Sequence, residues 1–382
     1  MRICYFGTYT NQEGYPMNEV LIRSLRENQI EVVECNQRLW KGRMEKVEKA
    51  KGIFSIISLV PRLCRSYLSL SWKFLRVGSY DAIIVGYPGH FDFFLVKFLN
   101  IFRRNRPVLI NLLFSLYDTI VRDRQLIPPG SFMAKCILIV DKTLLRWADR
   151  IILDTSTHIE HICNMFNIDK NKFIRVPVGA DDTLFKPGKS SSPMVKTGTG
   201  INILFFGTYI PLHGIEYILQ AAQRLKSFTD VRFTLIGSGQ TYEAMQNQAK
   251  ALELENVTFI NSWVPYRELV QYIQSADICL GIFGTTEKAT MVIPCKIYNC
   301  LAMGKPVITA DTPAAREILS DGVHAILSPP GDPQSLADAI LKFRDNPQYR
   351  ADIGKAGYDL FQNTMTPKQV GFNLKQILEG MV

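Results

Sequence analysis

The same structural phrase occurs twice in this chain, 200 residues apart. Arg2-Ile-Cys-Tyr-Phe-Gly-Thr-Tyr9 and Asn202-Ile-Leu-Phe-Phe-Gly-Thr-Tyr209 each read as a short apolar strand ending in Phe-Gly-Thr-Tyr. A loop with Gly14 or Gly214 follows, then a helical pattern. Val20, Leu21 and Leu25 mark the apolar face of the first helix, and Ile215, Ile218, Leu219, Ala222 and Leu225 that of the second. A further strand closes each unit, over 30–33 or 231–236. Helices alternating with apolar runs predict parallel sheets covered on both faces.

More buried strands are expected over 81–85, 107–111, 150–153 and 173–176, and again over 257–260, 278–281, 306–309 and 325–327. The stretch 186–200 is poor in apolar residues and reads as a linker. The expectation is therefore an α/β chain with two tandem doubly wound Rossmann-like domains, over 1–185 and 201–360, facing each other across a cleft. In such sheets ligands sit at the carboxyl ends of the strands. Thr366-Pro367 with Gln369 three residues after the threonine reads as a helix start. No strand follows, so the segment 361–382 should pack back on a sheet, that of the first domain. At 382 residues and 47% hydrophobic the chain is an ordinary globular protein, which excludes a disordered or collagen-like one. No apolar run is long enough for a spanning helix, and the start reads as a strand rather than a signal peptide. The eight cysteines lack metal spacing and are expected to be reduced, mostly buried thiols in a cytoplasmic protein.

The net charge of +9 is one-sided: residues 1–185 carry 26 Lys and Arg against 18 acids, the remainder 18 against 17. An anionic partner suits such an excess. From Lys41 to Arg76 basic residues (Lys46, Lys49, Lys51, Arg62, Arg65) alternate with apolar and aromatic ones, with Leu68, Trp72 and Leu75 at near-helical spacing. A basic amphipathic helix of this kind either lies on an anionic membrane surface or packs on a core with a solvated basic face. No nucleic-acid signature accompanies the charge, so no nucleic-acid partner is expected.

Four loops of the second half converge at strand ends. Gly207, Thr208, Tyr209 and His213-Gly214 lead into a helix, whose opening amides favour phosphate. Gly237 and Gly239 follow the next strand, and Trp263 and Val264 the third. In the fourth, Pro294 at N1 opens a helix with Lys296 in its first turn and Asn299 one turn on. A lysine there conflicts with the helix dipole, and an anion held between them removes the conflict. In the first half Gly7, Gly14, Tyr87 and His90 should line strand ends, with His90 either touching an acceptor or simply a loop residue. Asp118 follows an apolar strand and is placed to orient or deprotonate a hydroxyl. Arg122 and Arg124 either bind a phosphate or pair with Asp123. His158 and His161 read as helix surface, and no metal site is expected.

Taken together, the strand-Phe-Gly-Thr-Tyr with His213-Gly214, Ile236-Gly-Ser-Gly239, Ser275-Ala-Asp277 and Pro294-Cys-Lys-Ile-Tyr-Asn-Cys-Leu-Ala-Met-Gly-Lys-Pro306 resemble the donor domain of a family 4 glycosyltransferase of the GT-B fold. Val176-Pro-Val-Gly-Ala-Asp-Asp-Thr-Leu-Phe-Lys-Pro187 is similar to the family's domain-crossing segment. The resemblance implies an acceptor-binding first domain and a donor-binding second one. It implies a retaining hexosyltransferase that uses a UDP- or GDP-sugar without an obligatory metal or other cofactor. The family's two donor-gripping glutamates fall on Met291 and Asn299, so Glu287 and Lys288 are candidates to take over sugar and phosphate contacts, against a solvated loop pair. The family's usual Arg and Lys on the first donor loop fall near Thr208 and on His213. Lys296, Lys288 and the amides at Gly207 and Thr208 then carry the diphosphate charge. Same-face attack by the acceptor is expected, with closure of the domains excluding water. With the basic segment, this points to a lipid-linked or glycan acceptor and a peripheral enzyme on the inner face of the cell membrane, in surface polysaccharide or glycolipid synthesis. The alternatives are a sugar-nucleotide epimerase of the same fold and a catalytically weak nucleotide-binding partner subunit.

Overall fold

The computed structural model describes residues 1–9, 16–37, 39, 53–103, 105–188 and 200–381. Gly14, Lys46, Lys49, Lys51 and most of the linker, 189–199, lie outside them. The chain divides into two compact units, one comprising Met1–Asp154, Ile159–Val178 and Pro367–Val382, the other Thr155–His158 and Gly179–Thr366.

In chain order the first unit comprises β1 (Arg2–Gly7), α1 (Pro16–Glu27), β2 (Glu31–Asn36), α2 (Ile53–Arg76), β3 (Ala82–Val85), α3 (His90–Ile101), β4 (Val108–Asn111), α4 (Phe132–Trp147), β5 (Arg150–Leu153), α5 (Ser156–Phe166, whose first turn groups with the second unit) and β6 (Phe173–Arg175). Its strands form one parallel sheet in the order β2-β1-β3-β4-β5-β6. The inner strands β1, β3, β4 and β5 are largely apolar because both faces are covered, whereas the edge strand β2 carries Glu31, Glu34 and Asn36. Cys4, Phe6, Ile83 and Ile110 meet Phe74 of α2, Phe93 of α3, Leu144 of α4 and Ile162 of α5. Ile3, Tyr5, Ile84 and Leu109 point the other way, into a cluster with Leu21 and Leu25 of α1.

The second unit comprises β7 (Ile201–Phe206), α6 (Ile215–Arg224), β8 (Val231–Ile236), α7 (Tyr242–Ala251), β9 (Val257–Ile260), α8 (Tyr266–Ser275), β10 (Ile278–Leu280), α9 (Cys295–Ala302), β11 (Val307–Ala310), α10 (Pro313–Arg316), β12 (Ile326–Ser328), α11 (Pro333–Asp345) and α12 (Pro347–Thr364). Its parallel sheet runs β12-β11-β10-β7-β8-β9. The apolar face read on α6 is its core face: Ile215, Ile218, Leu219, Ala222 and Leu225 are all buried with Ile203, Phe205 and Phe233. The doubly wound reading of both halves holds. In each sheet the strand order reverses beside the strand that carries the repeated phrase, between β1 and β3 and between β7 and β10. Such reversal points open a crevice at the strand ends.

Three boundaries differ from the sequence reading. The first unit stops at Val178 rather than 185. Phe185 is fully buried, its ring 5.3 Å from that of Tyr266 of the second unit. Residues 361–364 continue α12, and the last helix, α13, is Pro367–Glu379. Finally, Pro294 stands at the N-cap of α9, one residue before N1. Cys4, Cys35, Cys279 and Cys300 are buried, but Cys64 and Cys136 are exposed.

α13 supplies Val370, Leu374 and Leu378 to the cluster that holds Leu21 and Leu25. The two helices meet so closely that a Cβ on Gly371 would lie 2.0 Å from the Ser24 carbonyl oxygen, a backbone atom that cannot step aside. Gly371→Ala therefore forces α1 and α13 apart and costs about 1–3 kcal/mol. Calorimetry should show unfolding of the first unit at lower temperature. Gly380→Ala, where the nearest atom is 3.6 Å away, should leave it in place.

Candidate functional site

The reversal point of the second sheet gathers residues from three loops around one amine. β7 ends at Phe206, and Gly207 turns the chain with φ +151°, a conformation that side chains disfavour. A Cβ there would stand 3.0 Å from Lys296 Nζ and 3.2 Å from His213 Cε1. Lys296, in the first turn of α9, is 5% exposed. Its Nζ lies 3.7 Å from the centre of the Phe205 ring and 3.5 Å from the Gly281 carbonyl oxygen, just past β10. Among the described residues no carboxylate pairs with it. Burial holds the ammonium well below the usual lysine range. An amine at a helix N-terminus, in low dielectric and without an acid, is a built-in deficit of negative charge.

His213 faces the same point. Its Nδ1 bonds to the Thr208 carbonyl, and its ring lies 5.6 Å from that of Phe205. A carbonyl only accepts, so Nδ1 carries the proton and the tautomer is fixed. The Phe283 amide donates to the His213 carbonyl at 3.0 Å, tying this loop to the strand beside it. Asn299, one turn after Lys296 and on the same side of α9, is buried, and its Oδ1 has no hydrogen-bond partner among the described residues. Lys288 is buried in the turn Glu287–Thr290, whose Ala289 packs with Ile210 and Leu212. Gly207, Thr208, His213, Pro294, Lys296 and Lys288 thus belong to adjoining loops. Glu287 itself is exposed.

Other expected donor contacts are placed differently. The Tyr209 side chain is in the core, 5.0 Å from the Tyr242 ring, with its hydroxyl 3.4 Å from the Leu235 carbonyl; burial raises its pKa. Gly237 and Gly239 are glycines because neighbouring backbone leaves no room: Cβ atoms there would meet the Gly207 carbonyl oxygen at 1.9 Å and the Tyr209 carbonyl oxygen at 2.5 Å. Trp263 is exposed and Val264 buried. Met291, at the first glutamate position of the resembled family, is also buried.

The equivalent point of the first sheet has the opposite polarity. A Cβ on Gly7 would lie 2.9 Å from Asp92 Oδ2, in the first turn of α3. The Thr8 amide donates to that oxygen at 2.6 Å and the Thr8 hydroxyl at 2.9 Å. Burial raises the Asp92 pKa, and the Thr8 bonds work against the shift. The loop expected to approach an acceptor is therefore already occupied by the protein's own carboxylate. The Tyr87 amide and carbonyl are clasped by Asn18. His90 is buried, with Nε2 3.1 Å from the Phe114 carbonyl and 3.9 Å from Asp141 Oδ1. Asp118 is buried at the start of a wide helical turn, Asp118–Asp123. Its Oδ1 is 3.1 Å from His161 Nε2. Arg122 is exposed and Arg124 half-buried. His158 is fully buried and His161 faces Asp118, so neither is the surface histidine the sequence suggested.

Two acids were missed. Asp141 accepts from the Ser115 hydroxyl at 2.6 Å and the Tyr117 amide at 2.8 Å, and burial pushes it up to about 6. Asp92 was the other. Each is a lone acid in an apolar helical run, and that is the signal that could have found them. Among the described residues no group of three or more His, Cys, Asp or Glu side chains could hold a metal, and no helix is long and apolar enough to cross a membrane.

Residues 192–360 match the family model "Glycosyl transferases group 1". D-inositol 3-phosphate glycosyltransferase of Nocardia farcinica is 26% identical over 52% of this chain and 46% of its own length. Phosphatidyl-myo-inositol mannosyltransferase of Mycobacterium leprae is 30% identical over 41% of each. The chain spans about half the length of the curated relatives it matches. Among solved structures, the Anabaena protein HepE in complex with UDP-glucose superposes over the full length of both chains with a TM-score of 0.70 at 16% identity. The fold is thus that of the GT-B glycosyltransferases, and the match to the glycosyl transferases group 1 model falls on the second unit and the linker before it.

Proposed function

We propose that this chain transfers a hexose from a UDP- or GDP-sugar to the hydroxyl of a lipid-linked or membrane-borne glycan acceptor, with retention at the anomeric carbon and no obligatory metal. The buried Lys296 amine, facing Gly207 without an acid, carries this reading. A diphosphate beside it supplies the missing negative charge, and the Gly207 amide, which already donates to the Ile236 carbonyl at 3.0 Å, leaves that role to the lysines. As the anomeric carbon–oxygen bond to the β-phosphate breaks, negative charge grows on the diphosphate. Lys296 and Lys288 oppose that charge without reorganising. The acceptor oxygen forms the new bond on the same face, and its proton passes to a phosphate oxygen. Asp118, steadied by His161, orients the acceptor hydroxyl. Asn299 Oδ1 accepts from a donor hydroxyl. The relatives' names, a D-inositol 3-phosphate glycosyltransferase and a phosphatidyl-myo-inositol mannosyltransferase, support a phosphorylated or lipid acceptor. The enzyme then works at the inner face of the cell membrane, in surface polysaccharide or glycolipid assembly. A second reading, a nucleotide-binding subunit of low activity, is favoured by Met291 and Asn299 standing where the family has glutamates. Incubating the purified chain with labelled UDP- and GDP-sugars decides: transfer or donor hydrolysis supports the enzyme, and return of an epimerised sugar nucleotide would mean an epimerase.

Lys296→Met keeps length and removes the charge. UDP or GDP affinity should fall roughly ten- to a hundredfold, the 1.5–3 kcal/mol of a charged contact, in calorimetric titration. The same variant separates the lysine's effect on stability. A lysine whose folded pKa lies below its unfolded value leaves the unfolded chain holding more protons, so stability rises with pH between the two values. Unliganded wild type should therefore gain stability as pH rises toward the ordinary lysine pKa, about 10.4. Lys296→Met should lack this contribution, so the stability difference between wild type and variant should grow with pH over that window in denaturant melts of the second unit.

A further inference from the structure

We propose that the outer surface of α2, α3 and α4 is a docking face for an anionic bilayer. This deepens the reading of a membrane-borne acceptor and rests on it for its purpose. The three helices cover the same face of the first sheet, since Phe74, Phe93 and Leu144 share one core cluster. Their other sides are apolar where solvent-facing helices are normally polar. Leu68 is 73% exposed, Phe98 59% and Phe132 84%, with Trp72, Phe102 and Trp147 also more than half exposed. The sequence offered Leu68, Trp72 and Leu75 as an apolar face without deciding what covers it. In the structure the core is met by Leu70 and Phe74 instead, and the three residues point outward.

Contacts link neighbouring helices of this face. Phe98 and Phe102 rings lie 5.3 Å apart, and Phe94 joins Trp147 of α4 at 6.0 Å. At the other side the Arg103 guanidinium donates to the Leu75 carbonyl at 3.0 Å, tying the end of α3 to the end of α2. Charge selects the occupant. Over the spans given above the three helices hold eight Lys or Arg and two acids, Asp92 and Asp141, and both acids are buried. Arg65, Lys73, Arg76, Lys135, Lys142 and Arg146 are exposed among the aromatic residues, and the Arg76 guanidinium lies 3.5 Å over the Trp72 ring. Apolar and aromatic side chains interleaved with cations, and no exposed acid, match the boundary of acyl chains and anionic headgroups. A second copy of the same face would bring like charges together.

The test floats the full chain on a density gradient with vesicles of phosphatidylcholine alone or mixed with phosphatidylglycerol, without donor. The wild type should rise with the anionic vesicles and remain below with the neutral ones. Leu68→Glu/Phe98→Glu/Phe132→Glu should cut the bound fraction by roughly tenfold or more, and Arg65→Gln/Lys135→Gln/Lys142→Gln should weaken it and its salt dependence. All six positions are surface ones, and an unchanged melting curve, with the same shift on adding UDP, certifies the fold of each variant. The proposal is overturned if the wild type ignores anionic vesicles, or if the glutamate variant binds them equally. It is also overturned if light scattering shows a wild-type dimer that the glutamate variant dissolves while vesicle binding stays the same. Absence of a UDP shift in every version counts against the donor reading and leaves the flotation result standing.

Discussion

The Lys296 amine rests against the Phe205 ring and beneath Gly207, and keeping an amine there shapes the loops around it. Gly207 has no side chain to push it aside. His213 is held by the Thr208 carbonyl and by Phe283, so its ring closes one wall. Gly237 and Gly239 let the neighbouring loop press against 207–209, and Tyr209 anchors that loop in the core. Each contact is ordinary. Together they hold a poorly solvated cation at a strand-order reversal, where α/β sheets bind ligands.

The two copies of Phe-Gly-Thr-Tyr show how one backbone solution is given two chemistries. In both, glycine ends the strand in a left-handed turn at the reversal point of its sheet. In the first, a helix brings a carboxylate, and the Thr8 amide and hydroxyl bind it. In the second, a helix brings an amine. The first loop is therefore self-satisfied and the second is not. This difference, rather than the shared motif, separates a structural turn from a candidate anion site.

The fold was legible because its inner strands are buried on both sides and so appear as apolar runs rich in Ile, Val and Leu, separated by helical periodicity. The core faces of α1 and α6 were legible for the same reason. Lys296 stood out because its residue type conflicts with its local position. What stayed hidden depends on partners distant in sequence. Nothing near Thr8 announces Asp92, 84 residues on, and nothing near Asp118 announces His161. Tyr209 and Phe185 carry no local mark of which surface they bury. On α2 the heptad-like spacing of Leu68, Trp72 and Leu75 is compatible with either side of the helix, and the alternative register through Leu70 and Phe74 is the one that meets the sheet.

The return of α13 bears on how the chain is made. The face of the first sheet that α1 covers stays incomplete until Val370, Leu374 and Leu378 arrive, and these follow the whole second unit in the chain. A nascent first unit must wait while residues 179–366 are synthesised, on the order of ten to forty seconds at usual elongation rates. During that interval Leu21 and Leu25 lack their cover, and the growing polypeptide is a natural client for chaperones. The second unit, complete at Thr366, is free to fold before the first has closed.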